Sequence, residues 1–219
     1  AMEQRRDFNV TTKIVHYNRL KNETFQSACE QCINAQPDGV VLVPSTIDVT
    51  RDFAHKMHEK NIPFILLDSY IPELKPLSFY GQDSFQSGYF AARMLMLIAS
   101  KENDIMLMKQ TRQGRVVSKQ QDNRETGFRH YMHDHFPNIN IIEVDLPLEE
   151  EKEDYNNRLE NFFSKISKIH HCITFTSKAH IVGEFLQRTN RRNIQIMGYD
   201  MVKKNAECMR RGSISFLIA

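Results

Sequence analysis

Runs of apolar residues that never alternate with polar ones constrain this chain most. "VVLVP" (40–44), "PFILLD" (63–68), "DIMLMK" (104–109), "HCITFT" (171–176) and "IQIMG" (194–198) are apolar almost from end to end. A strand with one wet face would alternate, so these read as strands buried on both faces. Patterns of helical period lie between them. Phe25, Ala28, Cys29, Cys32 and Ile33 share one helical face behind an expected cap at Asn22. The same period recurs at Val49, Phe53 and Met57, and at Phe85, Gly88, Tyr89, Ala92, Leu95, Met96 and Ala99. Further helices are predicted over 122–135, around Leu159 to Ile166, around Ile181 to Leu186, and near 202–211. "TTKIVHY" (11–17), "SFYG" (78–81), "INIIEV" (139–144) and "ISFLIA" (214–219) complete the predicted strands. Strand–helix alternation with wholly apolar strands is the pattern of an α/β fold with parallel sheets. The polar stretch "ASKEND" (99–104) separates two such series, giving expected subdomains over 1–100 and 101–219.

Composition removes several functional classes. No apolar run is long enough to span a membrane, and "AMEQRRDFN" at the start is charged rather than secretory. The four cysteines form no disulfide framework, which fits a reducing cytoplasm. "CEQC" (29–32) has zinc-finger spacing but no second pair, and both thiols sit on an apolar helix face, so buried free thiols are expected. "HYMHDH" places His130 and Asp134 four residues apart, but off the apolar side of their helix, where a solvated face is the expectation. No GxGxxG, P-loop or GxSxG pattern follows a strand, so neither cofactor nor metal is expected, and no enzymatic role.

In parallel α/β sheets, ligands bind beyond the carboxyl ends of the strands. The residues there are Ser45 and Thr46, Asp68 and Ser69, Gln82 and Asp83, Lys109 to Arg115, Ser177 and Lys178, and Asp200. Nearly all are polar, as a binding cleft requires, although polar loops are also the general rule.

Several stretches then resemble one family in order: "DGVVLVPST" (38–46), "IPFILLDS" (62–69), "GQDSFQSGYFAARML" (81–95), "RETGFRHYM" (124–132) and "IQIMGYDMVKKNAECMRRGSISFLIA" (194–219). The chain is similar to the effector-binding domain of LacI/GalR-type bacterial transcription regulators. That domain shares its type 1 periplasmic-binding-protein-like fold with sugar-binding proteins. The resemblance implies two Rossmann-like subdomains, truncated here at both ends, with the first strand and the DNA-binding head outside this chain. It implies a sugar or sugar-acid effector and a cytoplasmic homodimer that holds operator DNA through the absent head. It assigns ligand contacts to Arg124, Asp200 and Asp83, with Ser45, Asp68, Ser177 and Lys178 at the neighbouring strand ends, and close helix packing to Gly88. Relatives often carry Asn-Asp where this chain has Ser177-Lys178, and Lys178, with Arg112, Arg115 and Arg124, points to an effector bearing negative charge. The alternatives are a sugar-binding protein of a transport or signalling system with the same fold, and a small-molecule α/β enzyme.

With 29 basic and 27 acidic residues the chain is nearly neutral, at +2. Phosphate contacts dominate DNA affinity and need clustered positive charge. This polypeptide alone is therefore expected not to bind operator DNA. Salt-sensitive, sequence-selective retention on duplex DNA would refute this.

Overall fold

The computed structural model describes residues 10–18, 21–99, 104–112, 114–116, 118–166, 168–191 and 193–219. The opening "AMEQRRDFN", most of "ASKEND" and the Arg115 side chain lie outside the described residues. The chain separates into two compact units, 1–82 and 83–219. The second includes the helix at 84–96, which the sequence pattern groups with the first subdomain.

In the first unit, α1 (Asn22–Asn34) and α2 (Ile47–Glu59) accompany three parallel strands, β1 (Val40–Leu42), β2 (Phe64–Leu67) and β3 (Ser78–Tyr80), in the order β1-β2-β3. Phe25, Cys29 and Ile33 of α1 join Phe53 and Met57 of α2 over Leu42, Phe64 and Leu66. Burial pushes the Cys29 thiol up to about 12 and raises Cys32 as well, so the "CEQC" cysteines behave as small apolar side chains.

Three expectations change here. Residues 11–17 enter no strand ladder. Val10 and Ile14 are 64% and 72% exposed, while Tyr17 packs on Phe25 at 4.6 Å and donates its hydroxyl to the Val43 carbonyl at 2.8 Å. β-branched composition favours a strand only where a neighbouring strand supplies hydrogen bonds and packing, and no described strand lies alongside. β1 is not buried on both faces: Leu42 is 6% exposed but Val41 46%. Asn22 is not a cap either. Lys21 holds that position, and the Asn22 amide oxygen accepts from the Thr46 hydroxyl at 2.7 Å, tying the start of α1 to the start of α2.

The second unit runs α3 (Ser84–Met96), β4 (Asp104–Arg112), β5 (Arg115–Val116), α4 (Lys119–His135), β6 (Ile141–Pro147), α5 (Lys152–Lys165), β7 (Ile169–Thr174), α6 (Ala179–Arg188), β8 (Gln195–Tyr199), α7 (Lys203–Arg210) and β9 (Phe216–Ile218). β4 pairs with β6 on one edge and β7 on the other, then β8 and β9 follow, all parallel. The resulting order, β6-β4-β7-β8-β9, is doubly wound, with its switch point between β4 and β7. α3 and α4 cover one face, with Ala91, Leu95, Phe128 and Met132 over Ile105, Leu107 and Ile173. α5, α6 and α7 cover the other, with Leu159, Phe163, Phe185 and Cys208 around Met106, Met108 and Cys172. The central strands are therefore buried on both faces, as their unbroken apolarity requires.

β4 runs on past Lys109 to Arg112 and turns back as the hairpin β5, where the sequence pattern predicts a loop. Gln110 and Thr111 are 6% and 4% exposed there. Lys109 is a strand residue whose ammonium lies 3.3 Å from Glu125 and 3.1 Å from Glu143. Arg129 also meets both carboxylates, closing a neutral quartet that fastens α4 to the sheet.

α3 and α4 cross with their backbones in contact. A Cβ at Gly88 would lie 1.8 Å from the Arg124 carbonyl oxygen, and one at Gly127 would lie 2.0 Å from that of Phe85. Gly88 thus has the packing role expected of it, and Gly127 reciprocates. Gly88→Ala and Gly127→Ala should each cost at least about 1–3 kcal/mol, because the obstacle is backbone and cannot rotate away. Unfolding free energies from urea titration within about 0.5 kcal/mol of the parent would contradict this crossing.

Candidate ligand site at the strand ends

Arg124 lies in the second turn of α4, which starts beside the tip of β4 and its hairpin. Its side chain, to which the resemblance assigns a ligand contact, is buried, with the residue 5% exposed. Nη1 donates to the Phe175 carbonyl just beyond β7 at 3.0 Å, and the guanidinium lies 4.0 Å from the centroid of the Tyr199 ring. Tyr199, the last residue of β8, donates its hydroxyl to the Ser87 carbonyl of α3 at 3.0 Å and lies 2.9 Å from the Ser87 hydroxyl. Burial raises the Tyr199 phenol pKa, against the Ser87 bond and the Arg124 charge, which lower it. The phenol is therefore neutral and donates. One cation thus joins α4, the end of β7 and the end of β8, while the ring beneath it reaches α3. A buried guanidinium needs such partners to offset its lost hydration.

Asp200 comes immediately after Tyr199. Its side chain is exposed and its backbone is left-handed, at φ 64°. Its amide donates to the Ile218 carbonyl of β9 at 2.8 Å. Asn205 of α7, wholly buried, donates its side-chain amide to the Tyr199 and Asp200 carbonyls, each at 2.9 Å. The Asn205 oxygen accepts from the His180 amide at 2.9 Å and stands 3.0 Å from His180 Nδ1. That oxygen can only accept, so Nδ1 carries the imidazole proton. His180 lies in the first turn of α6, behind Ser177, which is half-buried, and Lys178, which is exposed.

The structure therefore brings Arg124, Ser177, Lys178 and Asp200 to the carboxyl edge of one sheet. Asp83 is at the start of α3, where its carboxylate accepts from the Gln86 amide at 3.0 Å and acts as that helix's cap. In the first unit, Ser45 is half-buried between β1 and α2. Asp68, exposed at the end of β2, repeats the Asp200 arrangement: φ is 69°, and its amide donates to the Tyr80 carbonyl of the next strand at 3.0 Å. Sequence reasoning missed Ser87, Tyr199 and Asn205. Only Asn205 left a trace, a polar residue three positions before buried Cys208 on the core-facing side of its helix. His130 and Asp134 pair on the surface at 3.4 Å, and no metal-ligating group of three exists among the described residues. No helix among them is long and apolar enough to cross a membrane.

Residues 1–219 match the model of a family described as the periplasmic binding protein domain. The solved structure of a candidate LacI transcriptional regulator from Bacteroides fragilis is 40% identical, with a TM-score of 0.88 over 97% of this chain and 73% of that one. A sugar-binding protein of a sugar ABC transporter from Bacillus halodurans is 20% identical, with a TM-score of 0.77 over 89% of this chain and 66% of that one. A carbohydrate-transporter solute-binding protein from Agrobacterium radiobacter, in complex with D-arabinose, is 18% identical, with a TM-score of 0.74 over 91% of this chain and 68% of that one. At such identities the last two likenesses show the fold alone. Among curated protein sequences no relative matches the chain.

Burial lowers the pKa of His180 and of His171 below the ordinary histidine value. Below about pH 6.5 the unfolded chain takes up protons that the folded chain refuses. Stability should thus be fully present above that pH and fall as the pH drops toward the folded-state values. Denaturant midpoints between about pH 7.5 and 5 should show the loss, and His171→Phe should reduce it; a flat profile would refute the assignment.

Proposed function

This chain belongs to the periplasmic-binding-protein domain family, and we propose that it senses a sugar or sugar acid as the effector domain of a LacI-type transcription regulator. The observation that carries the proposal is the 40% identity, across 97% of this chain, to the candidate LacI regulator. Binding of a sugar is supported by the polar groups at the strand ends and by the D-arabinose found in one relative of the same fold. Sugar hydroxyls both donate and accept: the exposed Asp200 carboxylate accepts, and Lys178, Ser177 and Arg124 donate. Lys178 favours an effector carrying a carboxylate or phosphate. Asp83 is a further proposed contact of the second unit, and Ser45 and Asp68, at the strand ends of the first unit, are proposed contacts of that unit by itself.

In this reading the whole protein is a homodimer that binds operator DNA through a head outside these residues, and the effector shifts the balance between two arrangements. All four cysteines are free, which supports a reducing, cytoplasmic setting. The second reading is a sugar-binding protein of a transport or signalling system, favoured by the names of the more distant relatives. Sugar-responsive operator binding by the full-length protein separates the two; its absence, with sugar binding intact, would favour the second.

Thermal-shift screening of neutral sugars and their uronic acids should identify the effector. Asp200→Asn should then weaken it by about 1.5–3 kcal/mol, roughly ten- to hundredfold, with little change in melting temperature because the side chain is exposed. Arg124→Gln should weaken it too, but should also lower the melting temperature, since its guanidinium is part of the buried frame. Unchanged affinity in Asp200→Asn would remove that residue from the site.

A further inference from the structure

We infer that Asn205 is the positioning residue of the ligand site: one buried amide holds the Asp200 turn and the Ser177–Lys178 loop in fixed relation. The inference rests on the reading that these two segments contact the effector. Neither segment belongs to regular secondary structure, and they come after different strands, β7 and β8. Their spacing is therefore not set by the sheet ladder, which ends at Ile173 and Met197 between these strands.

Asn205 supplies what the ladder does not. Its Nδ2 donates both protons, to the Tyr199 and Asp200 carbonyls, and its Oδ1 accepts from the His180 amide and faces His180 Nδ1. All four contacts are 2.9–3.0 Å, at a residue with 0% exposure. The amide is saturated, with two donors and two acceptor directions in use. The left-handed backbone of Asp200 makes the anchor consequential. Aspartate tolerates that region better than most L-residues, but extended and right-handed geometries stay open to it, so the turn keeps this shape where neighbours hold it. The Asp200 amide is held by β9, and its carbonyl by Asn205. Loss of Asn205 releases the carbonyl side of the turn and, at the same time, the start of α6 behind Lys178. The carboxylate and the ammonium then lose their common reference.

The two bonding halves can be separated. Asn205→Asp keeps an acceptor for the His180 amide but turns a carboxylate oxygen toward the Tyr199 and Asp200 carbonyls, with no donor between them. Asn205→Ala removes both halves. Val182→Ala, on the core-facing side of α6 itself, serves as a destabilised control outside the hydrogen-bond network. Hydrogen exchange on the ligand-free chain should show at least tenfold faster exchange at the Asp200 and His180 amides in Asn205→Ala, at Asp200 with the His180 amide still protected in Asn205→Asp, and at neither selectively in Val182→Ala. Parent-like exchange at both amides in Asn205→Ala would overturn the inference. So would a general loosening indistinguishable from that of Val182→Ala. D-arabinose, D-galactose and D-galacturonate serve as binding probes. Any that bind the parent should bind Asn205→Ala at least tenfold more weakly, at a temperature where all variants are folded, and retain their affinity for Val182→Ala. Unchanged affinity in Asn205→Ala would also overturn the inference. If no probe binds the parent, the sugar reading loses its support, while the exchange pattern still decides the role of Asn205.

Discussion

The contact on which the second unit depends is backbone against backbone, where α3 and α4 touch at Gly88 and Gly127. Without side chains between them, the helices bring Ser87 to the Tyr199 hydroxyl and set Arg124 over the Tyr199 ring. A methyl group at either glycine would part the helices and move both partners of that ring. Packing in a protein interior is dense enough that such a shift is not absorbed locally. The frame behind the candidate site is thus determined where two residues have no side chain at all.

Arg124 carries that geometry into the chemistry of the strand ends. Three different elements meet its guanidinium directly or through the ring beneath it, and little of it meets solvent. A residue in that position orders the ends of β7 and β8 whether or not it also touches a ligand. Asp200 is the opposite case, an exposed carboxylate on a tightly held backbone. The division of labour is between a buried cation that arranges the strand ends and exposed groups that such an arrangement presents.

Much of this was legible in the sequence because burial leaves a periodic mark. The unbroken apolarity of "DIMLMK" and "HCITFT" announced central strands, and the spacing of Phe128 and Met132 announced the inner face of α4. Gly88 was legible as a close-packing position through resemblance. "TTKIVHY" misled because strand propensity says nothing about whether an edge is available to pair with. "VVLVP" misled in part because apolar composition does not reveal which face lacks a cover, and Val41 is 46% exposed among the described residues. Lys109 looked like the end of a strand, yet partners on α4 and β6, distant in sequence, let β4 carry a charge inward and continue. The depth of Arg124 was illegible for the same reason: its partners at Phe175 and Tyr199 lie 51 and 75 positions away.

The left-handed aspartates carry a consequence for how such a site can drift. Asp68 and Asp200 stand at corresponding places in the two units, each with its amide bound to the next strand. Glycine, asparagine and aspartate enter that backbone region readily, and branched or bulky residues do not. At both strand ends the local geometry therefore favours a carboxylate, an amide or no side chain and disfavours β-branched and bulky residues. Substitution there most readily switches a charge on or off or vacates the space, while a β-branched or bulky side chain meets steric resistance. Larger changes in specificity must be written into the right-handed and extended positions around them, of which Ser177 and Lys178 are the nearest to Asp200 along the sheet edge.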